Sequence, residues 1–343
     1  MFNHSVFMLQ CLELAEKGMG SVAPNPMVGA LLVHNQEIIG KGYHEFYGGP
    51  HAEVNCLHSI KEENRSLIQD STLYVSLEPC NHMGKTPPCT DLILSSGIKM
   101  VVIACIDSSS KVNGKGIARL REHGVEVIVG VEEQKALELN KRFFTFHQQQ
   151  RPYIILKWAQ SLEGYIGLSD QRVILSSNEC NIVTHQWRAD EAAIWVGYQT
   201  AKLDNPHLTV RHSKGNNPLR IVYDSDLSLP NELNLFDHQI PTIRFNHIRN
   251  SEEENLSTVH INEENSLQDM LYYLYDIQVL SVIIEGGAKW IQQFINQGYW
   301  DEARVIRTAT SLTQGVKAPT IKNAWLTQEL TEGPDQIYFY KKQ

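Results

Sequence analysis

The feature that most constrains the fold is the alternation of short apolar segments with amphipathic segments along the 343 residues. The short segments are rich in β-branched residues, as strands are, and the amphipathic segments carry apolar residues at helical spacing. This alternation predicts α/β domains in which helices cover a partly parallel sheet. Segment 147–152 interrupts the pattern, because it is polar and ends in proline. We therefore expect two α/β domains, residues 1–147 and residues 148–343, a number that the length also favours.

The same periodicity predicts the elements of each half. In the first half it predicts strands at Val28–His34, Thr72–Leu77, Met100–Cys105 and Val125–Val129. The helices expected there are Phe7–Lys17, one opening at His51, one after Cys89, Gly116–His123 and Glu132–His147. The strands of the second half are Tyr153–Trp158, Ala192–Gly197, Leu219–Tyr223, Pro241–Phe245, Leu280–Ile284 and Ala303–Thr308. Its helices are Asn178–Ala189, Leu267–Tyr275 and Ala288–Gln297.

Composition and charge exclude several classes of protein. Hydrophobic residues make up 42% of the chain and charged residues 20%, which is typical of a globular protein and unlike a disordered one. The formal net charge is −9, and both halves of the chain are acidic. Because polyanions are bound by basic surfaces, we expect no nucleic-acid partner, and we expect any phosphate to belong to a small molecule.

The sequence also predicts where the protein works. No apolar run reaches the ~18 residues that a helix needs to cross a bilayer, so we expect no membrane partner. The N-terminal residues lack the basic stretch and the small-residue cleavage site of a signal peptide. Six cysteines are too few for a disulfide scaffold in a chain of this length, and they indicate a reducing compartment. We therefore predict a cytoplasmic location.

His51, Cys80 and Cys89 form the strongest candidate metal site. One imidazole and two thiolates suit zinc, and three protein ligands leave the fourth tetrahedral position for a water whose pKa falls towards ~7. Glu53 lies two residues after the histidine, where a carboxylate can pass a proton between that water and a leaving group. This His-x-Glu…Pro-Cys pattern is the signature of zinc deaminases of amino-pyrimidines and purines. A non-catalytic zinc site closed by His82 is the alternative, and the glutamate favours the open site.

Residues 1–147 resemble the cytidine-deaminase-like superfamily, and in particular its riboflavin-biosynthesis branch. The match is carried by Ala23–Gly29 (APNPMVG), His51–Val54 (HAEV) and Leu77–Cys89 (LEPCNHMGKTPPC). The eight-residue gap between the cysteines separates this branch from nucleoside and tRNA-editing relatives, which usually have two residues there. The resemblance implies a three-layer α/β/α fold. It also implies zinc ligation by His51, Cys80 and Cys89, proton transfer by Glu53, and substrate binding by Asn25, His44 and Lys85.

The second half contains a candidate phosphate-binding turn. Gly286 and Gly287 follow the apolar segment Ser281–Glu285 and precede a helical segment at Ala288–Phe294. A strand that ends in glycines and leads into a helix presents backbone N–H groups, to which a coenzyme pyrophosphate can bind closely. The pattern is not Gly-x-Gly-x-x-Gly, so a tight structural turn is the alternative.

Residues from about 152 to 315 resemble the dihydrofolate-reductase-like reductase domain of the same riboflavin pathway, an α/β fold. Gly197–Thr200 and Asp204–Arg211 carry the match together with Lys157 and Ser161–Gly164, in which Glu163 replaces the usual aspartate. A second departure is Val173–Ser176, where the family usually has a Trp-Ile-Thr/Ser segment. The resemblance implies an NADPH site at Thr200, Asp204, Ser225, Gly286, Gly287, Ala288, Lys289, Trp290 and Ile291. It implies substrate binding by Arg188, Leu208, Arg211 and Glu285, and catalysis by Lys157 and Glu285.

Together the two resemblances imply a bifunctional enzyme of riboflavin biosynthesis that uses one Zn²⁺ per chain and NADPH. The implied first reaction is hydrolytic deamination of 2,5-diamino-6-ribosylamino-4(3H)-pyrimidinone 5′-phosphate. The implied second reaction is NADPH reduction of 5-amino-6-(5-phosphoribosylamino)uracil to the ribitylamino product. We expect this small phosphorylated pyrimidine as the partner of the protein, and we expect a homo-oligomer, either a dimer or a tetramer.

Two alternatives stay open from the sequence. One is a nucleic-acid deaminase with an appended domain, which the acidic charge and the long cysteine gap oppose. The other keeps the deaminase but treats the second half as a relic that no longer binds a coenzyme.

Overall fold

The computed structural model describes residues 3–83, 87–107 and 113–343, and its contacts divide the chain into two units, Met1–Gln150 and Arg151–Gln343. The predicted boundary after residue 147 lies in the last helix of the first unit, just before this division. In the described ranges, none of the helices combines the length and apolar character that crossing a bilayer requires.

The first unit is built on a five-stranded sheet with the strand order β2-β1-β3-β4-β5. The strands are β1 (Gly29–His34), β2 (Glu37–Tyr43), β3 (Thr72–Val75), β4 (Met100–Ile103) and β5 (Glu126–Val129). Strand β1 pairs antiparallel with β2 and β3, whereas β3, β4 and β5 are parallel. The helices are α1 (His4–Glu16), α2 (Ala52–His58), α3 (Cys89–Ser95), α4 (Lys115–Glu122), α5 (Glu133–Leu139) and α6 (Lys141–Gln149), with a 3₁₀ helix at Glu62–Asp70.

Helices cover both faces of this sheet, because its strands carry apolar residues on both sides. Cys56 of α2, Ile93 of α3 and Leu120 of α4 pack in one buried cluster with Leu32 and Val101 of the sheet. Helix α1 packs against β1 and β3. Strands that are buried on both faces need such double cover, and the result is the three-layer α/β/α arrangement that was expected.

The predicted single helix Glu132–His147 is wrong, because the structure has two helices that meet at Asn140. The Asn140 amide oxygen accepts from Met27 N at 2.8 Å, and its Nδ2 donates to Met27 O at 2.9 Å. This pairing with a distant segment fixes the bend. Strand β2 was missed, because Gly40 and Gly42 interrupt its apolar alternation.

The second unit contains a ten-stranded sheet with the order β11-β12-β10-β9-β8-β13-β6-β14-β17-β16 and a separate small pair, β7 with β15. Its first strands are β6 (Tyr153–Gln160), β7 (Tyr165–Gly167), β8 (Ala193–Gly197), β9 (Leu219–Tyr223), β10 (Thr242–Asn246) and β11 (Ser251–Glu253). The others are β12 (Leu256–His260), β13 (Ser281–Glu285), β14 (Glu302–Arg307), β15 (Val316–Lys317), β16 (Ala324–Glu332) and β17 (Asp335–Lys342). The helices are α7 (Asn178–Asp190), α8 (Tyr198–Asp204), α9 (Ser266–Asp276) and α10 (Ala288–Gln297), with a 3₁₀ helix at Asn234–Phe236.

The strands from β12 to β14 in this order are parallel, so their carboxyl ends lie at one edge of the sheet. Alternate residues point to opposite faces: Leu156 and Ile284 belong to one buried cluster, and Ile155 and Ile283 to another. In open parallel sheets, ligands bind at the edge formed by the carboxyl ends of the strands. Glu285 and Gly197 both end strands at this edge.

We predict that Gly42→Ala destabilises the first unit by about 1–3 kcal/mol, because overpacking against backbone is not relieved by rotamer changes. A Cβ at Gly42 would lie 2.3 Å from Cys56 N and 2.6 Å from Asn55 C, both in α2. Urea unfolding of the full chain, fitted with one transition per unit, measures the change. The control is Lys41→Ala, whose side chain is exposed on the same strand. An unchanged midpoint in the Gly42 variant would show that α2 does not depend on this close approach.

Candidate active sites

The three predicted metal ligands of the first unit lie together. His51 immediately precedes α2, Cys80 follows β3 in a loop, and Cys89 is the first residue of α3. His51 Nδ1 lies 3.3 Å from Cys89 Sγ and 3.5 Å from Cys80 Sγ, and the three ligand atoms are all within 4.8 Å of one another. Tetrahedral zinc, with Zn–N and Zn–S bonds of about 2.0 and 2.3 Å, separates nitrogen and sulfur by about 3.5 Å. The donor set and its spacing therefore fit a zinc ion.

The alternative of a closed site with His82 as a fourth ligand finds no support in the described residues. The His82 side chain is exposed, and the cluster of potential ligands in the described ranges contains His51, Cys80 and Cys89 without it. Three ligands leave one tetrahedral position open, which is the arrangement of catalytic rather than structural zinc sites.

The thiol of Cys80 is prepared for metal binding by its neighbours. Cys89 N donates a hydrogen bond to Cys80 Sγ at 3.3 Å. Hydrogen bonds from Cys89 and His51 outweigh the effect of burial and lower the pKa of the Cys80 thiol. Because the thiolate is the form that binds metals, this environment also fits the zinc site.

Glu53 is the acidic group beside this cluster. It is the second residue of α2, its side chain is 3% exposed, and its carboxyl group hydrogen-bonds with the Cys89 thiol. Burial, followed by the nearby Cys80 thiolate, raises the pKa of Glu53 above its ordinary value. A buried carboxyl at this place can both take up and release a proton within the site.

Asn25 and His44 extend the site away from the ligands. Asn25 Nδ2 donates to His44 Nε2 at 3.0 Å, and His44 Nδ1 donates to the carbonyl of Pro50 at 2.9 Å. Both ring nitrogens are engaged, and because Nε2 accepts from Asn25, the ring is neutral. Burial, opposed by the bond to Pro50 O, and the neighbouring His51 lower the pKa of His44. The His44 ring also packs edge-on against His51 at 5.6 Å between centroids. The third expected substrate residue, Lys85, lies outside the described residues.

Glu78 is a site residue that sequence reasoning missed. Its buried carboxylate accepts hydrogen bonds from four backbone N–H groups, those of Asp107, Gly114, Gly116 and Ile117, at 2.9 to 3.3 Å. A Cβ at Gly116 would lie 2.3 Å from Pro79 O, so only glycine permits this approach. Glu78 therefore fixes the chain immediately before Cys80 to the start of α4. Its position in the Glu-Pro-Cys segment gave a signal, but its partners are about 30 to 40 residues away.

In the second unit, Lys157, Arg188 and Glu285 form a buried ionic cluster. Pairing of β6 with β13 places Lys157 beside Glu285, with 3.7 Å between Nζ and Oε2. Arg188 of α7 donates through Nε and one Nη to both carboxylate oxygens at 2.8 Å. Burial opposes the ionisation of Glu285, but Arg188 and Lys157 prevail and lower its pKa to about 2. The site therefore holds a permanent carboxylate between two cations.

Arg211 and Arg188, the two arginines predicted to bind phosphate, both contact Thr209. Arg188 Nη1 donates to Thr209 O at 3.3 Å, and Arg211 Nη1 donates to Thr209 Oγ1 at 2.7 Å. Burial and the charge of Arg188 lower the pKa of Arg211, as two neighbouring guanidinium groups repel one another. Leu208 is 2% exposed in the apolar core and has a positive φ of 54°. Its side chain is therefore a packing residue of this loop.

The predicted phosphate-binding turn presents bare backbone at the start of a helix. Gly286 and Gly287 have φ values of 73° and 78°, and α10 begins at the next residue. A Cβ on Gly286 would lie 3.1 Å from Thr200 Oγ1. The Thr200 hydroxyl therefore lies beside the bare backbone of this turn, just before the first N–H groups of α10. Side chains at Gly286 and Gly287 would occupy this space, and without them it fits the pyrophosphate of NADPH.

The other expected coenzyme residues differ in their placement. Trp290 and Ile291 have side chains in the apolar core, and the Trp290 ring stacks on Tyr223 with 5.2 Å between ring centroids. They can therefore meet a coenzyme mainly through their backbone. Ala288 and Lys289 are more exposed in the first turn of α10, Asp204 ends α8, and Ser225 follows β9.

Glu163, one of the departures from the reductase pattern, joins two segments of the second unit. Its carboxylate accepts from Ser311 Oγ at 2.6 Å, Leu312 N at 2.8 Å and Ser161 Oγ at 2.9 Å. These bonds lower the pKa of Glu163 to about 2. The glutamate thus joins the turn after β6 to the segment after β14. Nothing in the structure explains the departure at Val173.

Two family models match the chain, one on each unit. The model of the cytidine and deoxycytidylate deaminase zinc-binding region matches residues 1–105, and that of the RibD C-terminal domain matches residues 152–318. The predicted fold class, a cytidine-deaminase-like domain followed by a dihydrofolate-reductase-like domain, is confirmed. Fold and sites together define a two-domain enzyme with a zinc-dependent deaminase unit and an NADPH-dependent reductase unit.

Whole-chain relatives identify the family. The riboflavin biosynthesis protein RibD of Aquifex aeolicus is 37% identical, and the alignment covers 98% of each chain. RibD of Bacillus amyloliquefaciens is 36% identical over 96% of this chain and 90% of that protein. The Thermotoga maritima diaminohydroxyphosphoribosylaminopyrimidine deaminase/5-amino-6-(5-phosphoribosylamino)uracil reductase has a TM-score of 0.91 at 32% identity, covering 99% of this chain and 98% of that one. The chain belongs to the RibD family and is a bifunctional enzyme of riboflavin biosynthesis.

We predict that Glu78→Gln weakens zinc retention and destabilises the first unit by about 2–3 kcal/mol. The amide introduced at this position would present N–H donors to backbone N–H groups and leave buried donors unpaired. Competition with a chelator, followed by metal analysis, measures zinc retention, and thermal unfolding measures stability. Glu122→Gln, an exposed position in α4, is the matched control. Equal zinc retention in both variants would show that Glu78 does not support Cys80.

Proposed function

We propose that the first unit hydrolyses the exocyclic amine of 2,5-diamino-6-ribosylamino-4(3H)-pyrimidinone 5′-phosphate. The second unit then reduces 5-amino-6-(5-phosphoribosylamino)uracil to the ribitylamino product. The juxtaposition of a buried carboxyl group with one imidazole and two thiols carries the proposal for the first reaction. The Thermotoga maritima relative is named for this deaminase and this reductase, which supports both assignments.

In the deaminase unit, His51, Cys80 and Cys89 are the proposed zinc ligands. When bound, the zinc ion would act as a Lewis acid and lower the pKa of a water ligand to about 7. Glu53 accepts the proton of the attacking water as its oxygen bonds to the carbon that bears the amine. The same carboxyl group delivers this proton to the departing nitrogen, so that water is consumed and ammonia is released.

Substrate binding in the deaminase unit is assigned to Asn25, His44 and Lys85. Because Asn25 Nδ2 donates to His44, the Asn25 carbonyl oxygen is oriented as an acceptor for the N–H groups of a pyrimidine. The neutral His44, held by Pro50 O, keeps this amide in one orientation. Lys85 supplies a positive charge for a carbonyl or a phosphate of the substrate.

In the reductase unit, NADPH supplies the hydride that is added at C1′ of the ring-opened ribose. Lys157 and Glu285 are the proposed catalytic pair, with Lys157 providing the proton that accompanies the hydride. Arg188, Leu208, Arg211 and Glu285 form the proposed substrate side, where the two guanidinium groups bind the phosphate. Because its side chain is buried in the core, Leu208 would take part through its backbone. The proposed coenzyme residues are Thr200, Asp204, Ser225, Gly286, Gly287, Ala288, Lys289, Trp290 and Ile291.

We place the enzyme in the cytoplasm. All six cysteines are free, and two of them have to remain reduced to bind zinc. The partner is a small phosphorylated pyrimidine rather than a nucleic acid, as the acidic charge of the chain favours. We further propose a homo-oligomer, a dimer or a tetramer, which light scattering of the purified protein tests directly.

We predict that the two reactions separate by coenzyme requirement. The purified protein is incubated with the diaminopyrimidine phosphate, with and without NADPH, and the products are identified by mass. Replacement of the amine by oxygen is expected in both samples, and a gain of two hydrogens only with NADPH. Deamination without any NADPH-dependent product would support the relic interpretation of the second unit. No deamination in either sample would refute the proposed first reaction.

We predict that Glu53→Gln retains zinc but lowers the rate of ammonia release by at least about 10²-fold, as expected for loss of a general acid–base group. Metal analysis and an ammonia assay on the same preparation measure the two properties. Glu62→Gln changes an exposed glutamate of the same unit and should leave both unchanged. Normal deamination by the Glu53 variant would contradict the assigned proton transfer.

A further inference from the structure

His185 is a buried histidine for which the reaction above has no role. It lies on α7, one turn before Arg188, and its side chain is 5% exposed. Its Nδ1 accepts a hydrogen bond from the backbone N–H of Arg211 at 2.9 Å. Helix α7 therefore carries Arg188 of the ionic cluster and also His185, which accepts from the backbone of Arg211.

The hydrogen bond to Arg211 requires a particular form of the imidazole. A backbone N–H only donates, so Nδ1 carries no proton and the ring proton lies on Nε2. Burial and the charges of Arg188 and Arg211 lower the pKa of His185 to about 4, with Glu285 acting in the opposite direction. The His212 ring packs edge-on over His185 at 4.6 Å between centroids. The ring is therefore neutral near pH 7 and accepts through Nδ1.

The segment held in this way is the 208–211 loop, whose backbone is strained at its first residue. Leu208 has a φ of 54°, a value that non-glycine residues keep only where their surroundings fix them. Burial of the Leu208 side chain and two hydrogen bonds fix the loop. Val210 N donates to Asn217 Oδ1 at 2.8 Å, and Arg211 N donates to His185.

The guanidinium groups of Arg188 and Arg211 are held close together because both bind Thr209. Thr209 accepts from Arg188 Nη1 through its carbonyl and from Arg211 Nη1 through its hydroxyl. Arg188 also forms a bidentate pair with Glu285, so its charge is largely compensated. Within this pair, Arg211 is accordingly the arginine with the larger uncompensated charge for binding an anion.

We infer that His185 is a positioning residue, whose neutral imidazole fixes the 208–211 loop so that Arg211 meets the phosphate of the reductase substrate. The inference rests on the proposed reductase function and deepens it, because it names Arg211 as the group that binds the phosphate and His185 as the residue that positions it. It distinguishes His185 from Lys157 and Glu285, since His185 acts only through Arg211.

Two variants separate the hydrogen bond from the volume of the side chain. In His185→Asn the amide oxygen takes the place of Nδ1 and accepts from Arg211 N, whereas His185→Leu fills the space without an acceptor. For NADPH-dependent reduction of the deaminated phosphate, we expect His185→Leu to raise KM about tenfold with little change in kcat. Such a split indicates lost binding rather than lost catalysis. His185→Asn should stay within about threefold of the unmodified enzyme, as should the exposed control His260→Leu.

The dephosphorylated substrate makes the test specific for the phosphate. With this compound the unmodified enzyme and His185→Leu should have the same KM, because the interaction that the variant disturbs is absent. An unchanged KM of His185→Leu for the phosphorylated substrate would overturn the inference. A fall in kcat alone, or an Asn variant as weak as the Leu variant, would overturn it too.

Binding of inorganic phosphate distinguishes failure of this inference from failure of the proposed function. Calorimetric titration of the full chain needs no turnover, and we expect about tenfold weaker binding by His185→Leu than by His185→Asn. If the unmodified protein reduces nothing but shows this difference, the proposed reaction fails and the role of His185 stands. Equal binding by both variants refutes the role. An unchanged thermal unfolding transition of the second unit in each variant confirms that the unit carrying His185 is folded.

Discussion

A carboxylate that is buried away from water has to be met by donors or cations, and each unit organises its site around one such group. In the first unit, Glu78 is met by backbone N–H groups that come from the start of α4 and the residues before it. In the second unit, Glu285 is met by Arg188 and Lys157. Through these contacts Glu78 fixes the chain around Cys80 to α4, and Glu285 joins the carboxyl edge of the parallel sheet to α7.

The reacting groups themselves lie at the ends of regular elements. His51 and Glu53 lie at the start of α2, Cys89 starts α3, and Glu285 ends β13. Element ends offer side chains that are directed outward from a packed core, while the core fixes their backbone. Close packing at Gly42 supports α2 in the same way. The two reactions therefore use different chemical groups, but in both units these groups lie at the ends of helices and strands that a packed core fixes.

Much of this arrangement could be predicted from the sequence, because it depends on local signals. The strand Leu219–Tyr223 and the helix Ala288–Gln297 were predicted with their observed bounds, since uninterrupted periodicity determines both. The ligand cluster was predicted from motif spacing. The bend at Asn140 and the contacts of Glu78 and His185 could not be predicted, because each depends on a partner brought near only by the folded chain. A polar side chain with a distant backbone partner leaves no periodic trace in the sequence.

The pairing of Asn140 with Met27 bears on where the first unit can be cut. The zinc-binding region model matches only residues 1–105, and all the candidate metal ligands fall within it. The segment that carries Asn25, however, is tied at Met27 to the junction of α5 and α6. A fragment that ended with the matched region would keep the ligands and lose this tie, together with β5. The smallest deaminase fragment that retains its substrate-facing segment therefore extends through α6, to about residue 150.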